Sequence, residues 1–237
     1  MRTDFLVHWT GKDICSDPDA LNDEHRRRYM DRLADILGRG FWMTKPDEKI
    51  CGMNNVYIEY NAPMTCFTEI RLSQARFHAR RYGLLGVGVM RRFVLDRLGG
   101  PVHYVRNHQT ECVIGNVREL LKALETCDPQ YKEYFAVNSA FIKGMSDSET
   151  DNFVYLNEQE WRIVHTHSQT EAKNLVRTGC GHPEYRIPVK KCDVRIIIFP
   201  DEQTHIQARE DPRLEAWLQT PPRTNAIQLT LQECEQF

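Results

Sequence analysis

The sequence of 237 residues lacks both the long apolar run of a membrane-spanning helix and the apolar leader of an exported protein. Its eight cysteines include no CxxC pair, so no thiol redox motif is indicated. A formal net charge of −2 argues against a strongly basic nucleic-acid coat. We therefore expect a cytoplasmic protein with free thiols and no membrane partner.

The cysteines and histidines leave one alternative open. Cys180, His182 and Cys192 could form a metal site, with His165 or His167 as a further ligand. Their spacing matches no common zinc signature. We therefore interpret the cysteines as small buried apolar side chains and expect no metal.

Predicted strands and helices alternate irregularly, which favours an α+β fold over a doubly wound sheet. The segments FLVHWT at 5–10 and VRIIIF at 194–199 predict strands. The apolar spacing of 21–39 predicts a helix that Gly40 ends. Residues 84–98 are ambiguous and could begin as a strand and end as a helix, with the change at Gly86 and Gly88.

We expect one domain over residues 1–237. A helical insertion is expected at about 111–145, broken near Pro129, and an irregular tail at about 218–237 with one late strand. No repeat or low-complexity segment divides the chain.

The first group of candidate functional residues is His8 and Thr10, at the end of the first predicted strand. A helix ending in Gly40 and Phe41 follows them. A histidine at a strand end is commonly a hydrogen-bonded structural residue, and this alternative remains open. The functional alternative is a role in ligand binding.

The second group is Glu158 and Glu160, which alternate with Gln159 in a predicted strand. Residues two apart in a strand point to the same face, so the two carboxylates share one side. They are either solvated on an exposed strand or part of a site that tolerates their repulsion.

The third group is a central stretch from Arg71 to Arg106 that contains eight arginines, with no lysine between residues 50 and 121. It is either a solvated helical surface or a surface that binds phosphate groups. The neighbouring glycines around Gly86 and Gly88 do not have the spacing of a dinucleotide-binding loop or a P-loop. Tyr82 beside them is either a platform for a ring or a core residue.

Several spaced blocks together resemble the AbiGi family. They are LVHWTGK at 6–12, PMTCFTE at 63–69, residues 78–88, GPVHY at 100–104, EWR at 160–162 and IIIFP at 196–200. That family is associated with bacterial abortive infection, a form of phage defence, and is described as an antitoxin. The resemblance implies a cognate toxin or a phage protein as partner.

A more distant resemblance, to ADP-ribosyltransferase-like domains, is carried by His8, Thr10, the helix end at 33–41 and Glu158-x-Glu160. It implies an α+β single domain with a split or strongly bent mixed β-sheet and flanking helices. It also implies NAD as substrate.

By this resemblance His8, Thr10, Tyr82 and Arg71 would bind NAD, and Glu160, Glu158 and His8 would be catalytic. A carboxylate such as Glu160 would stabilise the positive charge that develops on the ribose. The segment YNAPM at 60–64 lacks the arginine that DNA-modifying members carry there, which weakens the prediction of a DNA acceptor.

Three functions therefore compete. The main hypothesis is an enzyme of phage defence that transfers ADP-ribose from NAD to a protein or nucleic acid. It predicts that His8, Tyr82 and Glu160 meet in one cleft. The alternative is a non-enzymatic antitoxin or sensor that binds a toxin or phage protein. The third is nucleic-acid binding through the arginine-rich stretch.

Overall fold

The computed structural model describes residues 5–46, 49–51, 57–59, 62–69, 71–106, 112–124, 126, 128–145, 159–167, 171, 174–177, 185–219 and 226–237. Its strands, in chain order, are β1 (Phe5–Thr10), β2 (Phe41–Met43), β3 (Lys49–Cys51), β4 (Tyr57–Glu59), β5 (Met64–Thr68), β6 (Leu85–Met90), β7 (Gly100–Pro101), β8 (His103–Arg106), β9 (Ile142–Met145), β10 (Glu160–Val164), β11 (Val176–Arg177), β12 (Tyr185–Ile187), β13 (Val194–Phe199) and β14 (Ile227–Thr230).

The α-helices are α1 (Asp23–Arg39), α2 (Ala75–Tyr82), α3 (Arg91–Leu95), α4 (Cys112–Leu124), α5 (Pro129–Ser139), α6 (Glu202–Glu210), α7 (Glu215–Leu218) and α8 (Leu231–Cys234). Short 3-10 turns occupy Pro18–Ala20 and Leu72–Gln74. Within the described ranges, no helix is both long enough and apolar enough to cross a bilayer.

The main sheet has the strand order β14-β13-β6-β1-β5-β10-β7. Strand β1 lies at its centre and is antiparallel to both β5 and β6. The pairing of β13 with β14 is parallel, so the sheet is mixed. A second sheet, β11-β12-β2, and the pairs β3-β4 and β8-β9 complete the described strands. The expected mixed sheet with flanking helices in an α+β fold is confirmed.

Helix α1 begins two residues later than predicted and ends before Gly40 as predicted. The side chain of Asn22 caps its N-terminus by accepting from the backbone N–H of His25, 2.9 Å away. Leu33, Ile36 and Leu37 lie on one face and are buried in the core. Gly40 then ends the helix with a positive φ of 103°.

The glycine-rich segment becomes strand β6, where the missing side chains make room for close packing across the sheet. A Cβ on Gly88 would collide with the side chain of Ile196 on β13. Val87 and Val89, which alternate with the glycines, are fully buried. The change from strand to helix occurs between Met90 and Arg91, so its expected position at Gly86 and Gly88 was wrong.

The helical insertion corresponds to α4 and α5, separated just before Pro129 as expected. The prediction of helix up to residue 145 was wrong at its end, since Ile142–Met145 forms strand β9. Strand β9 runs parallel to β8, and a parallel pair requires a long crossover, which the two helices supply. The tail contains β14 and α8, so it is more regular than expected.

Candidate functional site

A cleft of about 360 Å3 opens where β1 ends and the following turn approaches α1 and β2. Its lining residues are His8, Trp9, Thr10, Gly11, Lys12, Asp13, Arg32, Ile36, Trp42, Thr44, Met64, Thr65, Cys66 and Tyr82. The structure therefore brings together three residues that the sequence singled out, His8, Thr10 and Tyr82. We call this space the β1 cleft.

The hydroxyl of Tyr29 on α1 fixes the turn that forms one wall of the β1 cleft. It donates to the backbone carbonyls of Gly11 and Cys15. It also accepts from the backbone N–H of Leu84, 3.3 Å away. Burial raises the pKa of Tyr29 to about 12, so the hydroxyl stays protonated. The end of β1 is thus attached to both α1 and the start of β6.

His8 is neutral at physiological pH. Its burial lowers the pKa to about 4, although the hydrogen bond to the backbone carbonyl of Cys66 acts in the opposite direction. The Nδ1 atom lies 2.8 Å from that carbonyl, which fixes Nδ1 as the protonated nitrogen. The other nitrogen, Nε2, is then a hydrogen-bond acceptor. The rings of Phe41 and Phe67 pack around the imidazole.

Arg32 is the charged group that the β1 cleft holds most firmly, with its side chain only 16% exposed. It donates to Thr10 Oγ1 at 2.9 Å and to Asp13 Oδ2 at 2.8 Å. Its guanidinium carbon lies 4.6 Å from the ring centre of Trp42, in a cation–π contact. The sequence reasoning missed all three of Arg32, Asp13 and Trp42, because helix spacing shows only that Arg32 lies away from the apolar face.

Trp42 is itself held by Asp35. The indole Nε1 donates to Asp35 Oδ2 at 2.6 Å, and Arg186 donates to the same oxygen at 2.8 Å. Although burial alone would raise it, these hydrogen bonds from Arg186 and Trp42 keep the pKa of Asp35 below its ordinary value. Arg186 also lies over the indole, 5.3 Å from its centre. Asp35 therefore fixes the indole of Trp42, and the indole in turn positions Arg32 in the cleft.

Tyr82 and Arg71, both predicted to bind NAD, have different positions. Tyr82 is the last residue of α2 and lines the β1 cleft. Arg71 precedes the 3-10 turn at Leu72–Gln74, is exposed and is not among the cleft's lining residues. The structure therefore does not bring Arg71 together with His8 in the β1 cleft, and its role in binding NAD stays a prediction.

Glu160 begins β10 and is 5% exposed. Its Oε1 accepts from Arg162 Nε at 2.6 Å, and its Oε2 lies 2.8 Å from Lys143 Nζ. Burial alone would raise its pKa, but Arg162 and Lys143 lower it to about 2. Its backbone N–H donates to the Tyr104 hydroxyl. We call Glu160, Arg162 and Lys143 the β10 ion cluster.

His8 and Glu160 lie on opposite faces of the main sheet. Thr68 on β5 is in register with both Val7 and Glu160, so these three side chains share a face. His8 follows Val7 and therefore points to the other face. The expectation that one cleft holds His8, Tyr82 and Glu160 was wrong. Glu158 lies outside the described residues, and the catalytic roles predicted for these groups stay predictions.

Glu160 lines a second cavity of about 350 Å3, together with Glu69, Arg91, Pro101, Val102, Tyr104, Gln159 and Trp161. Glu69 accepts from both Arg91, at 2.7 Å, and the indole of Trp161, at 3.2 Å. The polar groups of this cavity are thus bonded to one another. Gln159 at its edge has a positive φ of 40°.

Several arginines of the arginine-rich stretch bond to other groups of the protein. Arg91 pairs with Glu69, Arg92 with Asp96, and Arg76 with Glu235 in the acidic tail. Arg97 donates to the backbone carbonyls of Phe93 and Pro188. These contacts favour the structural alternative over a continuous phosphate-binding surface.

Two residues of the alternative metal site, Cys180 and His182, lie outside the described residues. Cys192 is exposed, with a free thiol. In the part of the chain that the structure describes, no group of three or more His, Cys, Asp or Glu is placed to hold a metal ion.

Comparison with known proteins places the chain in a family. Neither a curated protein nor a solved structure matches it, so the likeness to ADP-ribosyltransferase-like folds stays a prediction. Residues 47–184 match the sequence model of the family described as "Putative abortive phage resistance protein AbiGi, antitoxin". This match spans β10, the helical insertion and more than half of the chain, which therefore belongs to the AbiGi family of abortive phage resistance proteins.

Proposed function

We propose that this protein is the antitoxin of an abortive-infection system and acts by binding a cognate toxin. The observation that carries the proposal is the AbiGi match over residues 47–184, a family described as an antitoxin of phage resistance. Abortive infection needs a toxin that is restrained until a phage arrives, and direct binding is the simplest form of restraint.

The environment of Glu160 supports binding over catalysis. A carboxylate that stabilises a developing positive charge must face the substrate. Both oxygens of Glu160 instead accept from protein cations, Arg162 and Lys143. Reaching a substrate would require the carboxylate to leave Arg162, which is fully buried.

The surface of the helical insertion offers side chains suited to a partner. Leu120 on α4 and Tyr131 and Tyr134 on α5 are each more than half exposed. Exposed tyrosines and leucines contribute apolar area when a partner covers them, and aromatic residues are enriched at protein interfaces. The insertion lies within the segment that matches the family.

The test is co-expression of this protein with the protein encoded beside it in its genome. We expect the neighbour alone to stop bacterial growth, co-expression to restore it, and the two proteins to elute together in size-exclusion chromatography. The variant Tyr131→Ala/Tyr134→Ala is expected to weaken the complex at least tenfold. Phe77→Ala, which removes an exposed aromatic ring outside the insertion, serves as the matched control.

Two results would contradict the proposal. One is a toxic neighbour whose toxicity persists although this protein is folded and abundant. The other is growth rescue without any complex in solution, which would indicate that the protein acts on the toxin's target or its product.

The second candidate function is ADP-ribosyl transfer from NAD, which the meeting of His8, Thr10 and Tyr82 in the β1 cleft favours. In this proposal the nicotinamide side of NAD lies beside His8, and a protein or nucleic acid is the acceptor. Incubation with labelled NAD and a bacterial extract tests it. Label transfer that disappears in His8→Ala, and is retained in Phe77→Ala, would support it. Absence of transfer by the folded wild type would remove this candidate.

A further inference from the structure

The charged groups around the β1 cleft favour an anion. Lys12 and Arg32 line it against a single carboxylate, Asp13. Arg28 extends the positive charge, since its guanidinium lies 3.9 Å from Asp13. His8 is neutral and does not change the sum. The balance among these described groups is positive, and a ligand with a negative charge would complete it.

Arg32 is held by contacts on one face of its guanidinium and at two of its N–H groups. One face of its guanidinium lies on Trp42, and two of its N–H groups are directed at Thr10 and Asp13. A guanidinium held in this way has lost its rotamer freedom before a ligand arrives, so binding costs less entropy. Its planar set of donors matches the oxygens of a phosphate.

Asp13 occupies the place of such an anion. Its carboxylate accepts from Arg32 at 2.8 Å, while its own side chain is 57% exposed. It follows Gly11 and Lys12 in the turn after β1, so small rotations of one exposed side chain can release Arg32. A salt bridge with one exposed partner is weak, and a phosphate with a greater negative charge can replace it.

The rest of the lining suits a planar ring. Ile36 and Tyr82 are among the lining residues and provide apolar surface. The neutral imidazole of His8 has Nε2 as an acceptor for an N–H group. A volume of about 360 Å3 is within the range of small-molecule sites, which begins at roughly 300 Å3.

We propose that the β1 cleft binds a free nucleoside monophosphate, with the phosphate on Arg32 and Lys12 in exchange for Asp13 and the base beside Tyr82 and His8. This binding goes beyond the proposed antitoxin function, but it concerns the same cleft as the second candidate function. NAD binding more tightly than AMP would favour that candidate and would overturn the free monophosphate as the ligand. Since toxin binding and nucleotide binding are measured separately, either can fail while the other stands.

Isothermal titration calorimetry of the full chain with AMP tests the proposal at 150 mM salt. We expect AMP to bind, and adenosine and inorganic phosphate each to bind at least tenfold more weakly. Adenosine binding as well as AMP would overturn phosphate recognition by Arg32. A 5′-phosphorylated single-stranded oligonucleotide binding more tightly than AMP would overturn the free nucleotide as the ligand.

Variants on the same helix show whether Arg32 is responsible. Arg32→Ala should weaken AMP binding at least tenfold, and Arg32→Lys should weaken it less. Arg27→Ala, an exposed arginine on α1 that does not line the cleft, should leave it unchanged. Equal losses in Arg32→Ala and Arg27→Ala would contradict the proposal.

Asp13→Asn provides a test that misfolding cannot imitate. Removing the resident carboxylate should tighten AMP binding about threefold or more, because phosphate no longer competes with it for Arg32. The control is Asp17→Asn, another exposed carboxylate near the end of the same loop. Weaker binding in Asp13→Asn would mean that Asp13 positions Arg32 for the ligand rather than competing with it, and would overturn the exchange.

Discussion

His8 in the β1 cleft and Glu160 in the β10 ion cluster lie on opposite faces of one sheet, and the two regions use their polar groups differently. In the cluster, one oxygen of Glu160 accepts from the fully buried Arg162 and the other from the mostly buried Lys143. In the cleft, Arg32 is paired with a carboxylate that is 57% exposed, and the lining surrounds open space. The first arrangement stabilises the fold, and the second leaves groups for a ligand.

A substitution of Glu160 tests most directly whether the β10 ion cluster stabilises the fold. Glu160→Gln removes the counter-charge of the fully buried Arg162 and should lower the free energy of unfolding by about 3–5 kcal/mol. Chemical denaturation measures this loss. Glu119→Gln, whose partner Lys122 is well exposed, should cost less than about 1 kcal/mol. Equal stability of Glu160→Gln and wild type would mean that the cluster does not hold the fold, and would return Glu160 to consideration as a catalytic group.

The turn that forms one wall of the β1 cleft requires a glycine at position 83, because the backbone approaches it closely. Gly83 has a φ of 115°, and a Cβ there would collide with the backbone of Thr10 and Lys12. Gly83→Ala should therefore cost about 3 kcal/mol and displace Tyr82 from the turn after β1. Denaturation measures the cost. Gly38→Ala, where a Cβ meets nothing within 4 Å, is the control and should be neutral or slightly stabilising.

The two regions should also lose stability in different pH ranges. The pKa of Glu160 is lowered from its ordinary value of 4.5 to about 2 in the folded protein. Because the unfolded chain binds the proton first, the contribution is complete above pH 4.5 and is lost as the pH falls toward 2. It amounts to about 3 kcal/mol. A Glu160→Gln profile that still falls by this amount over the same range would contradict the assignment.

His8 acts in a higher range. Its pKa is lowered from 6.5 to about 4 by burial, so the unfolded state again binds the proton first. The free energy of unfolding should therefore fall as the pH decreases from 6.5 to 4. We expect a loss of about 2 kcal/mol, which is less than the full pKa shift corresponds to, because solvent screens a partly exposed residue. The difference between wild type and His8→Gln isolates this contribution from that of His78, whose pKa is also about 4. A difference that does not vary with pH would show that His8 is not the titrating group.

Much of the local structure could be predicted from the sequence. Which strands pair, and therefore which side chains share a face of the sheet, could not. The strands Phe5–Thr10 and Val194–Phe199 follow from apolar patterns, and α1 follows from its capping residue and 3.6-residue period. The position of β5 between His8 and Glu160 depends on long-range pairing that no local pattern contains.

One signal about Glu160 was present in the sequence. Alternation places residue 162 on the same face as residue 160, just as it places residue 158 there. The sequence therefore allowed an ion pair with Arg162 as readily as a carboxylate pair with Glu158. Burial decides between them, because a fully buried arginine requires a counter-charge.

The smallest effect on stability is expected for Trp42, the residue that positions Arg32 in the β1 cleft. Trp42→Phe removes the hydrogen bond to Asp35 and weakens the cation–π contact that orients Arg32, but Asp35 keeps its bond from Arg186. We therefore expect a loss of only about 1 kcal/mol in unfolding free energy, together with a several-fold loss of AMP affinity. Denaturation and calorimetry on the same variant separate the two effects. Equal fractional losses in a distant variant such as Trp217→Phe would show that AMP affinity follows overall stability. A loss of AMP affinity confined to Trp42→Phe would show that the indole belongs to the binding site. Its role there would be to position Arg32, whose charge serves the ligand rather than the fold.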